Sequence, residues 1–161
     1  MCIRNEEDEK RMKEKESNPT FTLHPIEINE EILLPYSGGI QAGFTSPAID
    51  YTCDKIDLNQ VLIRHSETTF LARAEGDCLN GGKAQIQDGD LIIVDKSLEP
   101  RDGDLAVCFL DGEFTMKRVK VEKEEVWLMP DNEKFKPIRV TEDNSFTIWG
   151  IITYSIKQHR R

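Results

Sequence analysis

From residue 67 to residue 156 the chain is a succession of short apolar runs separated by turn-forming clusters. The runs Thr69 to Glu75, Leu91 to Val94, Leu105 to Leu110, Glu113 to Val121, Val126 to Met129, Ile138 to Val140 and Phe146 to Ile156 have strand length. Between them lie two Asp-Gly-Asp turns, Glu99-Pro100, Asp111-Gly112 and Pro130-Asp131-Asn132. This pattern predicts a mostly β fold with strongly bent sheets. Asp111-Gly112 alone separates two of the runs, and a two-residue type I′ turn needs positive φ at both central positions, which Asp-Gly supplies. The hairpin so formed puts Lys117 inside a strand, with Thr115, Lys117 and Val119 on one face and Phe114, Met116 and Arg118 on the other. One short helix is predicted from Asp57 to Ile63, capped by Asp57, with Leu58, Val61 and Leu62 on one side.

Towards the N-terminus the pattern weakens. Cys2 to Glu16 is dense in Glu and Lys and has no apolar face to bury, so it is expected to be disordered. Phe21, Leu23, Ile26 and Ile28 alternate loosely and can add a strand. Ile32, Leu33, Leu34 and Tyr36 follow, and Pro35 limits any helix. The glycines of Ser37-Gly38-Gly39 then give a flexible elbow. Residues 21 to 42 read either as an arm that lies in a groove of its own domain or as an ordinary linker. The expected organisation is a charged leader and arm over 1–42 and a domain over 43–161, long enough for a compact core.

Composition narrows the class. A hydrophobic fraction of 38% with 32% charged residues fits a soluble domain carrying a solvated tail. A net charge of −9 argues against unaided binding to nucleic acid, which needs clustered Lys and Arg. The cysteines Cys2, Cys53, Cys78 and Cys108 have no CxxC spacing, and His24, His65 and His159 are isolated, so neither a metal site nor a cofactor is expected. No apolar run reaches membrane-spanning length and no signal peptide is evident. The expectation is a cytoplasmic protein with free thiols.

Chemistry concentrates between Gly76 and Lys117. A lysine sharing a strand face with Thr and Val is a candidate for burial, where the neutral amine is favoured and can act as a base; the plain alternative is a lysine that snorkels to solvent. Cys78 is a candidate nucleophile or a small buried thiol, and Cys108, in an apolar strand, reads as core. The motifs Gly76-Asp77-Cys78-Leu79, Asp88-Gly89-Asp90-Leu91-Ile92-Ile93-Val94-Asp95, Gly103-Asp104-Leu105-Ala106-Val107 and Asp111-Gly112-Glu113-Phe114-Thr115-Met116-Lys117-Arg118 occur in that order. Upstream stands Ala42-Gly43-Phe44-Thr45-Ser46-Pro47-Ala48. Together, over about residues 26 to 156, they resemble the LexA/UmuD family of self-cleaving Ser-Lys peptidases, most closely its UmuD branch.

The resemblance implies a LexA/signal-peptidase-like bent β-sheet domain with a flexible N-terminal arm. It implies a dyad of Cys78 at the nucleophile position and Lys117 as general base, and a cleavage site between Ala42 and Gly43. It further implies stimulation by RecA filaments on single-stranded DNA during the SOS response. The shortened chain is then expected to act as a homodimer bound to a UmuC-type translesion DNA polymerase. The chain departs from the family in carrying cysteine where relatives carry serine, and in a longer loop, Leu79 to Gln87, that includes Lys83. A free thiol ionises near 8.5, so a Cys/Lys pair tends towards thiolate and ammonium, a workable nucleophile and acid. The alternative is a catalytically inactive dimeric interaction subunit. Sequence-specific DNA binding is not expected, because no recognition-helix pattern precedes Gly43. A general processing peptidase fits less well, since no membrane anchor is present and a candidate cleavage site lies in the same chain.

Overall fold

A computed structural model describes residues 24–26, 31, 33–36, 54–123 and 125–160. The charged leader, the glycine elbow, Ala42, Gly43, Tyr51 and Cys53 lie outside the described residues. Among the described residues there are ten strands and one helix: β1 (His24–Pro25), β2 (Leu33–Tyr36), β3 (Asp54–Asp57), α1 (Leu58–Leu62), β4 (Thr69–Arg73), β5 (Leu91–Asp95), β6 (Leu105–Leu110), β7 (Glu113–Glu122), β8 (Glu125–Met129), β9 (Ile138–Val140) and β10 (Phe146–Ile156). The protein is mostly β, as the pattern of short runs requires. Eight strands form one sheet in the order β1-β4-β5-β10-β6-β7-β8-β9, and β2 pairs with β3 in a second, small sheet. No described helix is long and apolar enough to cross a membrane.

The Asp-Gly turn behaves as its chemistry dictates. Asp111 has φ 49° and Gly112 has φ 95°, the left-handed pair of a type I′ turn. The β6–β7 ladder runs without a break from Leu110 opposite Glu113 to Leu105 opposite Arg118. β10 is long because it serves two neighbours. Its first half pairs with β6 and its second half with β5, with register shifts between Ile148 and Gly150 and between Ile152 and Tyr154. Such irregularities bend a strand and raise its twist, and here they carry one strand from one half of the sheet to the other.

Each face of the bent sheet has its own core. Ala72, Ala74, Leu79, Ile86, Ile92, Val94, Val107, Met116 and Ile152 cluster on one, with Cys78, Phe114 and Trp149 packed against them. Ala106, Cys108, Val119, Leu128 and Ile151 form the other. The alternation along β7 sends Met116 to the first core and Val119 to the second.

Local differences from the sequence expectation have physical causes. β4 ends at Arg73 rather than Glu75, because Ala74 instead closes the neck of the next loop: its N–H donates to Asp90 O and its carbonyl accepts from Gly89 N–H, each at 2.8 Å. Asp57 does cap α1, accepting from Asn59 N–H at 3.0 Å. The side that carries Leu58, Val61 and Leu62 is only partly covered. α1 is little more than one turn, buries none of its residues, and leaves Val61 exposed beside Tyr154, whose hydroxyl donates to Val61 O. The arm contributes strands on both sides of its middle, β1 beside β4 and β2 beside β3.

Asp95 ties the end of β5 to the turn before β4. Its buried carboxylate bonds His65 Nδ1 at 2.6 Å and accepts from Ser97 Oγ at 2.7 Å, Ser97 N–H at 2.8 Å and Thr68 Oγ1 at 3.1 Å. Burial pushes this carboxyl up, but the bonds from His65, Ser97 and Thr68 outweigh it and lower the pKa to about 2. A depressed folded pKa means stability that is present above the unfolded value, about 4, and is lost as pH falls towards the folded one. Asp95→Asn is expected to cost on the order of 1–2 kcal/mol at neutral pH. In urea titrations the gap between wild type and variant should narrow steadily between about pH 4 and pH 2.

Candidate active site

Lys117 lies deep in β7 and is only 6% exposed, so it does not snorkel. Its Nζ donates to Thr115 Oγ1 at 2.6 Å and to the Met116 carbonyl at 3.1 Å. Cys78 comes from the loop between β4 and β5, is half-buried, and packs on the core that contains Met116. Its Sγ donates to the same Met116 carbonyl at 3.0 Å. Thiol and amine, 39 positions apart by their numbers, thus converge on one backbone oxygen.

That oxygen is within reach because of where β8 stops. The β7–β8 ladder ends with Arg118 opposite Met129, so Glu113 to Lys117 have a strand partner on the β6 side only. After Met129 the chain turns, and Asp131 N–H and Asn132 N–H both donate to the Cys78 carbonyl at 3.1 Å. The Cys78 loop therefore occupies the margin that β8 leaves beside β7.

The loop is held at three levels. Its neck is the Ala74 pairing with Gly89 and Asp90. Its inner side is anchored by Leu79 and Ile86, both buried, with Ile86 N–H donating to Leu79 O at 3.1 Å. Its flank is fixed by the 131–132 turn. Asn132 Nδ2 donates to Asp77 O at 2.9 Å, and the Asp131 carboxylate accepts from Ala84 N–H at 3.1 Å. Arg118 reaches across from β7 to grip that carboxylate with two nitrogens, at 2.9 and 2.6 Å, and donates to Gly103 O at 2.7 Å. Burial raises the Asp131 pKa, but the Arg118 guanidinium and the Ala84 N–H outweigh it and hold the carboxyl below its ordinary range. Contact with the 131–132 turn is so close that a Cβ on Gly81 would sit 2.4 Å from Asp131 O, which only glycine avoids.

Cys108 is the inert counterpart. It has no solvent exposure, and burial pushes its thiol up to about 12. Lys83, in the same loop as Cys78, is exposed. A cavity of about 480 Å³ opens elsewhere, beside Leu62, Arg64, His65, Asp95 and Tyr154, and neither Cys78 nor Lys117 lines it.

The sequence placed Cys78 and Lys117 as candidates, and the fold brings both to Met116 O. Ala42 and Gly43 lie outside the described residues. Thr115, Asp131, Asn132 and the clamping role of Arg118 were missed. Asp131-Asn132 read only as a turn, and nothing local in the sequence connects that turn to residue 78. Asp131→Ala leaves the guanidinium facing a vacated, mostly buried position. It is expected to cost about 2–3 kcal/mol in urea denaturation, and to raise amide exchange over residues 79–87 more than elsewhere.

Comparison with known proteins gives the family. A family model described as Peptidase S24-like matches residues 35–153. Protein MucA of Salmonella typhimurium is 36% identical over 125 residues, covering 77% of this chain and 84% of its own. Protein SamA of the same species is 39% identical over 119 residues, covering 74% and 81%. The LexA repressor of Oleidesulfovibrio alaskensis is 34% identical over 143 residues, covering 88% and 67%. With a family match over most of its length and these relatives, the chain belongs to the Peptidase S24-like family, in its UmuD-like branch.

Proposed function

We propose that this protein cuts its own chain between Ala42 and Gly43, with Cys78 as nucleophile and Lys117 as the group that takes and returns the proton. The observation that carries the reading is the convergence of Cys78 Sγ and Lys117 Nζ on Met116 O. In the reaction Lys117 turns from Met116 O to the sulfur and accepts the thiol proton. The thiolate then attacks the Ala42 carbonyl; the C–N bond breaks, the ammonium returns the proton to the departing Gly43 amine, and a thioester joins Ala42 to Cys78. A water that gives its proton to Lys117 then attacks that thioester, the C–S bond breaks, and residues 1–42 leave with a new carboxylate while the sulfur recovers its proton. Donors such as the Cys78 backbone N–H serve the developing oxyanion. Thr115 Oγ1 keeps the amine oriented through its 2.6 Å contact.

The antiparallel pairing of β2 with β3 supports an intramolecular reaction. It holds both ends of the 37–53 segment, which contains the scissile bond, on the same small sheet. Tethering of this kind replaces tight substrate binding with proximity. Any partner that favours the productive pose raises the rate by shifting its population. In this reading the partner is a RecA filament on single-stranded DNA, formed after DNA damage in the SOS response. Residues 43–161 then act in the cytoplasm as the homodimeric accessory subunit of an error-prone, UmuC-type translesion polymerase.

A second reading has its own observation. The Cys78 thiol gives its proton to Met116 O rather than to Lys117. A sulfur in this resting arrangement is not activated, and the protein would then serve as a non-catalytic interaction subunit of the polymerase.

Incubation of the purified protein at about pH 10, or at neutral pH with RecA, ATP and single-stranded DNA, separates the two. Loss of residues 1–42 by intact mass, reduced at least about a hundredfold in Cys78→Ala and in Lys117→Ala, is expected. A wild-type chain that stays whole under both conditions overturns the peptidase reading and leaves the second. Thr115→Val is expected to slow cleavage by about tenfold while leaving the fold intact, read from the single-turnover rate and circular dichroism.

A further inference from the structure

The same convergence has a chemical consequence that does not depend on proteolysis. Cys78 is half-buried and so within reach of a small solute, while Lys117 is nearly excluded from solvent. Both hold the Met116 carbonyl, at 3.0 and 3.1 Å. A carbonyl oxygen gives up either partner at the cost of one hydrogen bond, and the lysine stem is flexible enough to swing its nitrogen onto the sulfur. Cysteine sulfur that has been oxidised once is an electrophile, and an amine held beside it is the nucleophile that can capture it.

We propose that Cys78 and Lys117 form a reversible, peroxide-driven sulfenamide cross-link. Lys117 first takes the thiol proton as its nitrogen swings from Met116 O to the sulfur, and the Cys78 thiolate so formed attacks a hydroperoxide; an S–O bond forms and the O–O bond breaks. The sulfur is oxidised by two electrons and the peroxide reduced, and the Lys117 ammonium gives a proton to the departing oxygen. The amine so uncovered attacks the sulfenic sulfur, the N–S bond forms, and hydroxide leaves with a proton from nitrogen as water. With hydrogen peroxide the sum is one thiolate, one ammonium and one peroxide giving one sulfenamide and two waters. Thiols reverse it by attack at sulfur, releasing the Lys117 amine and then, through a mixed disulfide, the Cys78 thiol. The bond stops the sulfur from proceeding to irreversible acids. If the peptidase reading holds, the bond also removes nucleophile and base together, so that self-cleavage would respond to the redox state.

Cys108 is the internal control, because it is wholly buried and its thiol is pushed up to about 12. The test uses the full chain carrying Cys2→Ser and Cys53→Ser, treated with stoichiometric hydrogen peroxide and read by intact mass and peptide mapping. A loss of about 2 Da, a single linked peptide pair joining residues 78 and 117, and recovery of the starting mass with dithiothreitol are expected. The loss should persist in Cys108→Ser and vanish in Cys78→Ser and in Lys117→Arg. Gain of oxygen at Cys78 without a link, a link from Cys78 to any other residue, or an unchanged mass overturns the proposal. Because the mapped link in the folded parent is decisive by itself, the test stands even if Lys117→Arg fails to fold. It also stands apart from any measurement of cleavage.

Discussion

One backbone oxygen organises this molecule's chemistry. The Met116 carbonyl has two acceptor positions and gives one to a thiol and one to an amine. It can do so because β8 ends opposite Arg118, before reaching Met116. A longer β8 would claim this margin of β7 and shut out the loop that carries Cys78. The candidate site is thus a consequence of strand length as much as of residue type.

The loop on the other side of that oxygen is kept in place by groups from two other parts of the chain. Arg118 stands next to Lys117 in sequence yet points the other way along the strand alternation, and it grips Asp131. Asp131 and Asn132 in turn hold the Cys78 carbonyl and the Asp77 backbone. β7 therefore supplies the amine from one side chain and, through the next, braces the loop that brings the thiol. A buried ion pair of this kind is weak evidence for net stability, but removing one partner strands the other, so the loop position is tightly specified.

Much of this was legible in the residues. The strand boundaries of β6, β9 and β10, and the Asp57 cap, follow from alternation and turn chemistry that act over a few residues. The type I′ turn follows from the Asp111-Gly112 pair in the same way. Lys117 was a candidate for burial because period-two alternation put it with Thr115 and Val119, and it is buried. That Leu58, Val61 and Leu62 share a side of α1 was legible, but not how little covers that side, because spacing reports which residues share a face and not what packs on it. The bracing role of Asp131 was invisible, since polar turn residues look alike until the fold shows what they touch.

The β class, the hairpin register and the family can be read from the residues alone, because they rest on local backbone preferences and on motifs taken in order. That Cys78 and Lys117 meet at a shared carbonyl rather than directly, and that Arg118 and Asp131 frame them, emerges only once the chain is folded. Contacts between residues so distant in the chain depend on where strands end and how the sheet bends, and no short stretch of sequence encodes that distance.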